Sequence, residues 1–320
     1  MNSAFVFPGQ GSQFVGMGKD LFDNSELKAQ YEMVDKLFAS FHQENYSQIL
    51  SNVVFQGPEE DLTKTVFTQP AILTMSMLLA EKLKAKIAAG EIQKPAFVAG
   101  HSLGEFAALF MADVLSFEDA MKLVIARAAF MQEAPKGAMT AIIGMNDQDV
   151  KAFTDKADDV SVANFNSPEQ VVITGTKEGV ERVSCEISEF AATNGKKVRV
   201  IALNVGGAFH SPLMQAPAEE FNKLIDEMTF NDASIPVVQN TTASPVTAAS
   251  EIKENLKKQM TGSVRWTETV KFFFDNGVKE ILEVGPGKVL AGLVKKQDRR
   301  FPVQNIASLE DLASLQTAVS

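Results

Sequence analysis

The sequence predicts an α/β protein in two parts, a larger one built around a strand–turn–helix corner and a smaller one inserted into it. Three observations carry this. The stretch PAFVAGHSLGEFAALFMADVL at 95–115 reads as a buried strand at 96–99, a break over Gly100-His101-Ser102-Leu103-Gly104, and a helix-period pattern beyond. Between 138 and 203 the patterning runs strand, helix, strand, strand, helix, strand. Finally, 320 residues, of which 45% are hydrophobic and 22% charged, form an ordinary globular composition with room for one large domain or two.

Taken in order, 4–7 is a short apolar strand leading into Pro8-Gly9-Gln10-Gly11-Ser12-Gln13. A glycine-rich loop after a first strand can cradle phosphate, but the third glycine of G-x-G-x-x-G would fall on Phe14. Gly18-Lys19-Asp20 also lacks the Ser/Thr of a P-loop. The spacing instead lets the Gln10 backbone approach a reacting carbonyl, as a loop donor does in an oxyanion hole. Helical patches alternate with polar breaks over 21–50, where His42 reads as a half-exposed helical residue. Residues 68–88, opened by Gln69-Pro70, read as a long buried helix with Met75 and Met77 as core.

After the corner, Ser116 caps a helix over 117–134. Arg127 sits in it with Leu123, Val124, Phe130 and Met131 three and four residues away, on the apolar stripe. A guanidinium there demands a partner: either a buried Asp or Glu, or the carboxylate of a ligand met by its bidentate fork. A break at Pro135-Lys136-Gly137 precedes strands at 138–144, 160–163, 171–174 and 197–203, helices at 147–156 and 177–193, and a loop at 164–170. This βαββαβ order is the ferredoxin-like unit, inserted over 135–205, with 1–134 and 206–320 forming the larger part. A cleft between the two is a natural ligand site. Cys185, in the insert's second helix, reads as a small packed side chain. Beyond it come helices at 213–228 and 266–274, one ending at Gln259, and strands at 236–239 and 279–283 before Gly285-Pro286-Gly287.

G-x-S-x-G between strand and helix puts Ser102 on a strained corner, at the positive end of a helix, and makes it the candidate nucleophile. His210 lies on the glycine-rich connection at 204–212 and follows the serine in the chain order of α/β-hydrolases. His101 is a poor base for Ser102, because neighbouring residues at a strand end point apart. A net charge of −10 argues against a nucleic-acid binder and leaves Lys196, Lys197 and Arg199, or Lys295, Lys296, Arg299 and Arg300, as local basic patches. A single cysteine excludes an intrachain disulfide and a cysteine-cluster metal site, and matches a reducing cytoplasm. Neither a leader pattern nor a run near ~20 apolar residues appears, so a soluble, cytoplasmic protein away from the membrane is expected.

With these pieces assembled, the sequence resembles the malonyl-CoA:acyl carrier protein transacylases of fatty acid synthesis. The motifs are FPGQGSQ at 7–13, TQPA at 68–71, GHSLGE at 100–105, Arg127 with MQEA at 131–134, GAMTA at 137–141, ANFNSPEQVVITG at 163–175, AFHSPLM at 208–214, Gln259 before VRW at 264–266, and VGPGKVL at 284–290. The resemblance implies an α/β-hydrolase-like large domain with a ferredoxin-like insert, Ser102 as nucleophile and His210 as its base. It also implies the backbones of Gln10 and Leu103 as oxyanion hole, Arg127 as receptor of the malonyl carboxylate, and Gln259 orienting His210 through a carbonyl. Asn164 matches a substrate-lining position. Coenzyme A thioester is then a substrate, no cofactor or metal is implied, and the partner is an acidic carrier protein met by a basic patch. Members that accept methylmalonyl groups often carry Gln after the nucleophile and Ser before the histidine; Leu103 and Phe209 stand there instead, so malonyl is the expected extender. A serine esterase shares the corner but calls for a carboxylate behind the histidine and no buried cation. A non-catalytic carrier-protein docking module, and a free-standing acyltransferase serving polyketide synthesis, are the other readings.

Overall fold

The computed structural model describes residues 2–42 and 48–315. The larger sheet holds β1 (Ser3–Phe7), β2 (Phe97–Gly100), β7 (Val237–Val238), β8 (Pro245–Val246), β9 (Glu280–Val284) and β10 (Val303–Ile306). Its spatial order is β10-β9-β1-β2-β7-β8, with every pair parallel except the antiparallel β7–β8 pair. β1 is buried along its whole length, as a central parallel strand covered on both faces must be. Its alternation divides the core: Phe5 and Phe7 join the cluster formed with helices Thr65–Ala88, Gly104–Met111 and Phe117–Glu133, while Ala4 and Val6 join the one under Trp266–Asp275 and Val289–Gln297.

Register decides where the chemistry falls. Phe7 at the end of β1 pairs with Gly100 at the end of β2, so the loop after β1 and the serine corner leave the sheet side by side.

The second sheet holds β3 (Ala138–Ile143), β4 (Val160–Ser167), β5 (Gln170–Gly175) and β6 (Arg199–Ala202), antiparallel in the order β4-β5-β3-β6. Helices Asp147–Thr154 and Lys177–Thr193 supply its other layer, with Val150, Val180, Val183 and Ile187 packed on Ile142, Val162, Val171 and Ile173. The unit is tied to the larger part by a bridge between Lys136 and Gly207. It is also tied through β4, where Phe165 N–H donates to the Val264 carbonyl (2.9 Å) and Val264 N–H to that of Ala163 (2.8 Å).

Several sequence expectations are corrected. Residues 164–167 and 170 belong to β4 and β5 rather than to a loop, because β4 pairs with the segment around Val264 as well as with β5. The long helix starts at Thr65, ahead of Pro70; Thr68 returns its hydroxyl to the Leu62 carbonyl at 2.5 Å. His42 is 2% exposed, its ring 4.6 Å from that of Phe38. Cys185 is exposed, because the inward stripe of its helix runs through Val180, Val183 and Ile187. Helix Ala249–Lys257 stops two residues short of Gln259. Helices Leu50–Gln56, Val289–Gln297 and Leu309–Ser314 and strands β8 and β10 had no counterpart in the sequence reading. Among the described residues no helix is long and apolar enough to cross a membrane.

Candidate active site

The corner is held by close packing and by one amide. A Cβ on Gly100 would overlap the backbone of Gly104, and one on Gly104 the carbonyl of Phe7, so strand, helix and β1 meet at distances only glycine permits. Ser102 takes φ +51°, a left-handed conformation that costs a non-glycine residue on the order of 1–2 kcal/mol. Asn240 offsets that strain. Its Oδ1 accepts from Ser102 N–H at 2.6 Å and its Nδ2 donates to the Gly100 carbonyl at 2.6 Å, clamping both sides of the turn.

His210 meets Ser102 from the glycine-rich connection, itself at φ +58°. Its Nε2 lies 2.8 Å from Ser102 Oγ, and its Nδ1 faces the carbonyls of Gln259 (2.9 Å) and Gly262 (3.1 Å). Carbonyls only accept, so Nδ1 carries the proton and Nε2 is free to take the serine's. Burial, then the positive charge of Arg127, push the His210 pKa down to about 3, leaving a neutral imidazole. His101 turns away, its Nε2 2.7 Å from Asn166 Oδ1 on β4.

Arg127 is fully buried. Its Nη1 donates to Gln69 Oε1 (2.7 Å), and its Nη2 to Ser102 Oγ (3.0 Å) and Gln259 Oε1 (3.0 Å). All three partners are neutral oxygens. The carboxylate of Glu105 stands one residue further away, accepting from Gln259 Nε2 at 2.8 Å. Nε of Arg127 has no hydrogen-bond partner among the described residues. Burial lowers the guanidinium pKa to about 10, with the Glu105 charge opposing the shift, so the group stays cationic at neutral pH.

A serine, a neutral histidine and a buried cation therefore converge on one oxygen atom at the mouth of a helix. The family model for the acyl transferase domain matches residues 4–317. The chain belongs to the acyl transferase domain family. Among relatives of this acyltransferase, the malonyl CoA-acyl carrier protein transacylase of Bacillus subtilis is 42% identical over 97% of this chain and 94% of its own. The solved malonyl-CoA:ACP transacylase of Synechocystis superposes with a TM-score of 0.87 at 39% identity, covering 98% of this chain and 100% of that one. A malonyl-transacylase solved in complex with a type II PKS acyl-carrier protein gives 0.84 at 36% identity, over 99% of each chain.

The remaining predicted residues of this acyltransferase sit as follows. Gln10 lies on the loop after β1, its Nε2 3.3 Å from Thr65 Oγ1; neighbouring Gly9 packs so tightly on the His101 carbonyl that a Cβ would overlap it. Leu103 is 1% exposed and immediately precedes helix Gly104–Met111. Asn164 lies in β4 opposite Val264, its Oδ1 buried without a hydrogen-bond partner among the described residues. Phe209 is buried with its ring over Gly207. Sequence reasoning missed Glu105, Gln69, Asn240 and Asn166 as parts of the site. Glu105 and Gln69 carried a signal, being polar side chains on apolar helices like Arg127; Asn240 follows a two-residue strand and carried none.

Proposed function

We propose that this chain moves a malonyl group from coenzyme A to the phosphopantetheine thiol of an acyl carrier protein through an acyl-Ser102 intermediate. The observation that carries the reading is the meeting of His210 Nε2 and Arg127 Nη2 on Ser102 Oγ, at 2.8 and 3.0 Å. The names borne by the relatives at 36–42% identity support it. On this reading 1–134 and 206–320 form an α/β-hydrolase-like domain and 135–205 a ferredoxin-like insert, which the strand order β4-β5-β3-β6 supports; residues 1, 43–47 and 316–320 lie outside the described ones. The protein works in the cytoplasm with no cofactor of its own, the coenzyme A thioester being a substrate.

In the first half-reaction Ser102 passes its proton to His210 Nε2 as Oγ attacks the thioester carbonyl carbon. The oxyanion meets the backbone N–H groups of Gln10 and Leu103, the second at a helix N-terminus, where N–H groups lack intrahelical partners. Collapse breaks the C–S bond, and the departing thiolate of coenzyme A takes the proton back from His210. In the second half the carrier's thiol gives its proton to His210 and attacks the acyl-serine carbonyl, and Ser102 leaves reprotonated. Thioester to thioester is nearly isoenergetic, so the site needs barrier lowering and exclusion of water rather than driving force. Arg127 receives the malonyl carboxylate as a fork through its unpartnered Nε and through Nη2, which gives up its contact with Ser102 Oγ, and Asn164 lines the same pocket. That carboxylate also offsets the positive charge that depresses His210, so the charged substrate makes its own base stronger. Phe209 beside the histidine leaves little room for an α-methyl group.

The test is the transfer itself. Incubation with malonyl-CoA and holo carrier protein yields malonyl carrier protein in step with coenzyme A released; release of free malonate without a thiol acceptor would make the protein a hydrolase.

A further inference from the structure

Glu105 occupies the first turn of the helix that starts at the nucleophile, 1% exposed and without a part in the proton transfers above. Both its oxygens face donors. Gln239 Nε2 reaches Oε1 at 3.0 Å, while Gln259 Nε2 and Asn240 N–H reach Oε2 at 2.8 and 3.3 Å. Burial raises its pKa, and those three donors, then the charge of Arg127, pull it back toward the ionised form.

The consequence runs through Gln259. An amide has one donor end and one acceptor end, and an ionised carboxylate only accepts. The NH2 of Gln259 must therefore face Glu105, where it also reaches the Ser102 carbonyl at 2.9 Å, and its Oε1 must face Arg127 Nη2 at 3.0 Å. A half-turn of that amide would set carbonyl against carboxylate and NH2 against guanidinium. The spacing matters too. A direct Arg–carboxylate pair would occupy the guanidinium with a charged partner, whereas a carboxylate one amide away supplies countercharge and leaves Arg127 with exchangeable neutral partners and an unpartnered Nε.

We propose that Glu105 is a positioning residue for acyl-group selection, fixing the Gln259 side-chain amide and through it holding the Arg127 guanidinium oriented, and without a charged partner, for a carboxylate on the incoming acyl group. The proposal rests on the reading of Arg127 as that carboxylate's receptor. Glu105→Gln tests it, because Gln239 is itself fixed, accepting from Asn255 Nδ2 at 3.0 Å and donating to the Ile252 carbonyl at 3.1 Å. Whichever way the new amide is turned, its NH2 meets a donor.

The experiment compares kcat/KM for malonyl-CoA and acetyl-CoA in wild type, E105Q, E105D and R127A, each checked for folding by circular dichroism. The malonyl-to-acetyl ratio falls at least tenfold in E105Q and lies between wild type and E105Q in E105D, which keeps the charge on a shorter stem. Equal loss for both acyl groups in E105Q, or an unchanged ratio, overturns the proposal. Should E105Q not fold, E105D decides alone: a lowered ratio supports the proposal and an unchanged one overturns it. R127A separates the layers. If its ratio falls and those of the Glu105 variants do not, only the Glu105 proposal is lost; if its ratio also stays, the reading of Arg127 is lost with it.

Discussion

Replacing Arg127 by Ala removes the group that, on the proposed mechanism, distinguishes a charged acyl chain from a neutral one. On that mechanism the malonyl carboxylate is met by a guanidinium that is 0% exposed and already held by Gln69 and Gln259. Truncating one partner of a buried, hydrogen-bonded charge pair costs about 2–5 kcal/mol, most of it from the charge left unpaired. At about 1.4 kcal/mol per factor of ten, kcat/KM for malonyl-CoA should fall roughly 30- to 4,000-fold. The substitution also strands Gln69 Oε1 and Gln259 Oε1 and takes a hydrogen bond from Ser102 Oγ. Those losses weigh on every acyl donor alike and cancel in the malonyl-to-acetyl ratio. The assay is release of coenzyme A from each donor with holo carrier protein in excess. A ratio within threefold of wild type would refute the reasoning, whatever the absolute loss.

On the proposed mechanism the pH dependence of acylation follows from His210. A base whose pKa is lowered to about 3 is neutral at every higher pH, so kcat/KM stays flat from pH 8 down to about 5; a decline of about tenfold per unit below 6.5 would mark an ordinary histidine. Asn240→Ala strips partners from Ser102 N–H and the Gly100 carbonyl at once. It should destabilise the fold by about 2–4 kcal/mol in urea titrations and lower kcat with little change in KM. Glu283 is fully buried, its carboxylate accepting from the N–H groups of Leu290 and Ala291 at 2.9 and 2.8 Å, and burial raises its pKa to about 7. A raised carboxyl pKa means the folded state binds the proton more tightly than the unfolded one. Stability of wild type relative to Glu283→Gln therefore increases as pH falls from about 7 to about 4.5, by up to roughly 3 kcal/mol, and a pH-independent difference would contradict this.

The parts of the molecule legible in the sequence were those where one local pattern sufficed. The run GHSLG between apolar strand and apolar helix announced the corner, and an arginine at i−4, i−3, i+3 and i+4 from apolar residues could only be buried, which it is. Alternation across 138–203 gave the order of the small unit, although β4 ran four residues past its expected end, because its partner at Val264 lies a hundred residues away. Cys185 and His42 went wrong for a shared reason: a single helical residue belongs to the inward or the outward face, and only the packed neighbours decide which. Contacts that depend on distant loops were the hardest to see. Asn240 reaches Ser102 across 138 residues, and Gln259 joins His210, Arg127 and Glu105 from a turn beyond a helix end, with nothing in its own surroundings to single it out.

The central claim is that Ser102 carries the acyl group between two thiols. Intact mass spectrometry of the protein after brief mixing with malonyl-CoA, beside acetyl-CoA and a Ser102→Ala control, tests it most directly. The account predicts a malonyl-sized adduct that needs Ser102 and disappears when holo carrier protein is added. An adduct that persists in Ser102→Ala, or no adduct while free malonate accumulates, would contradict it.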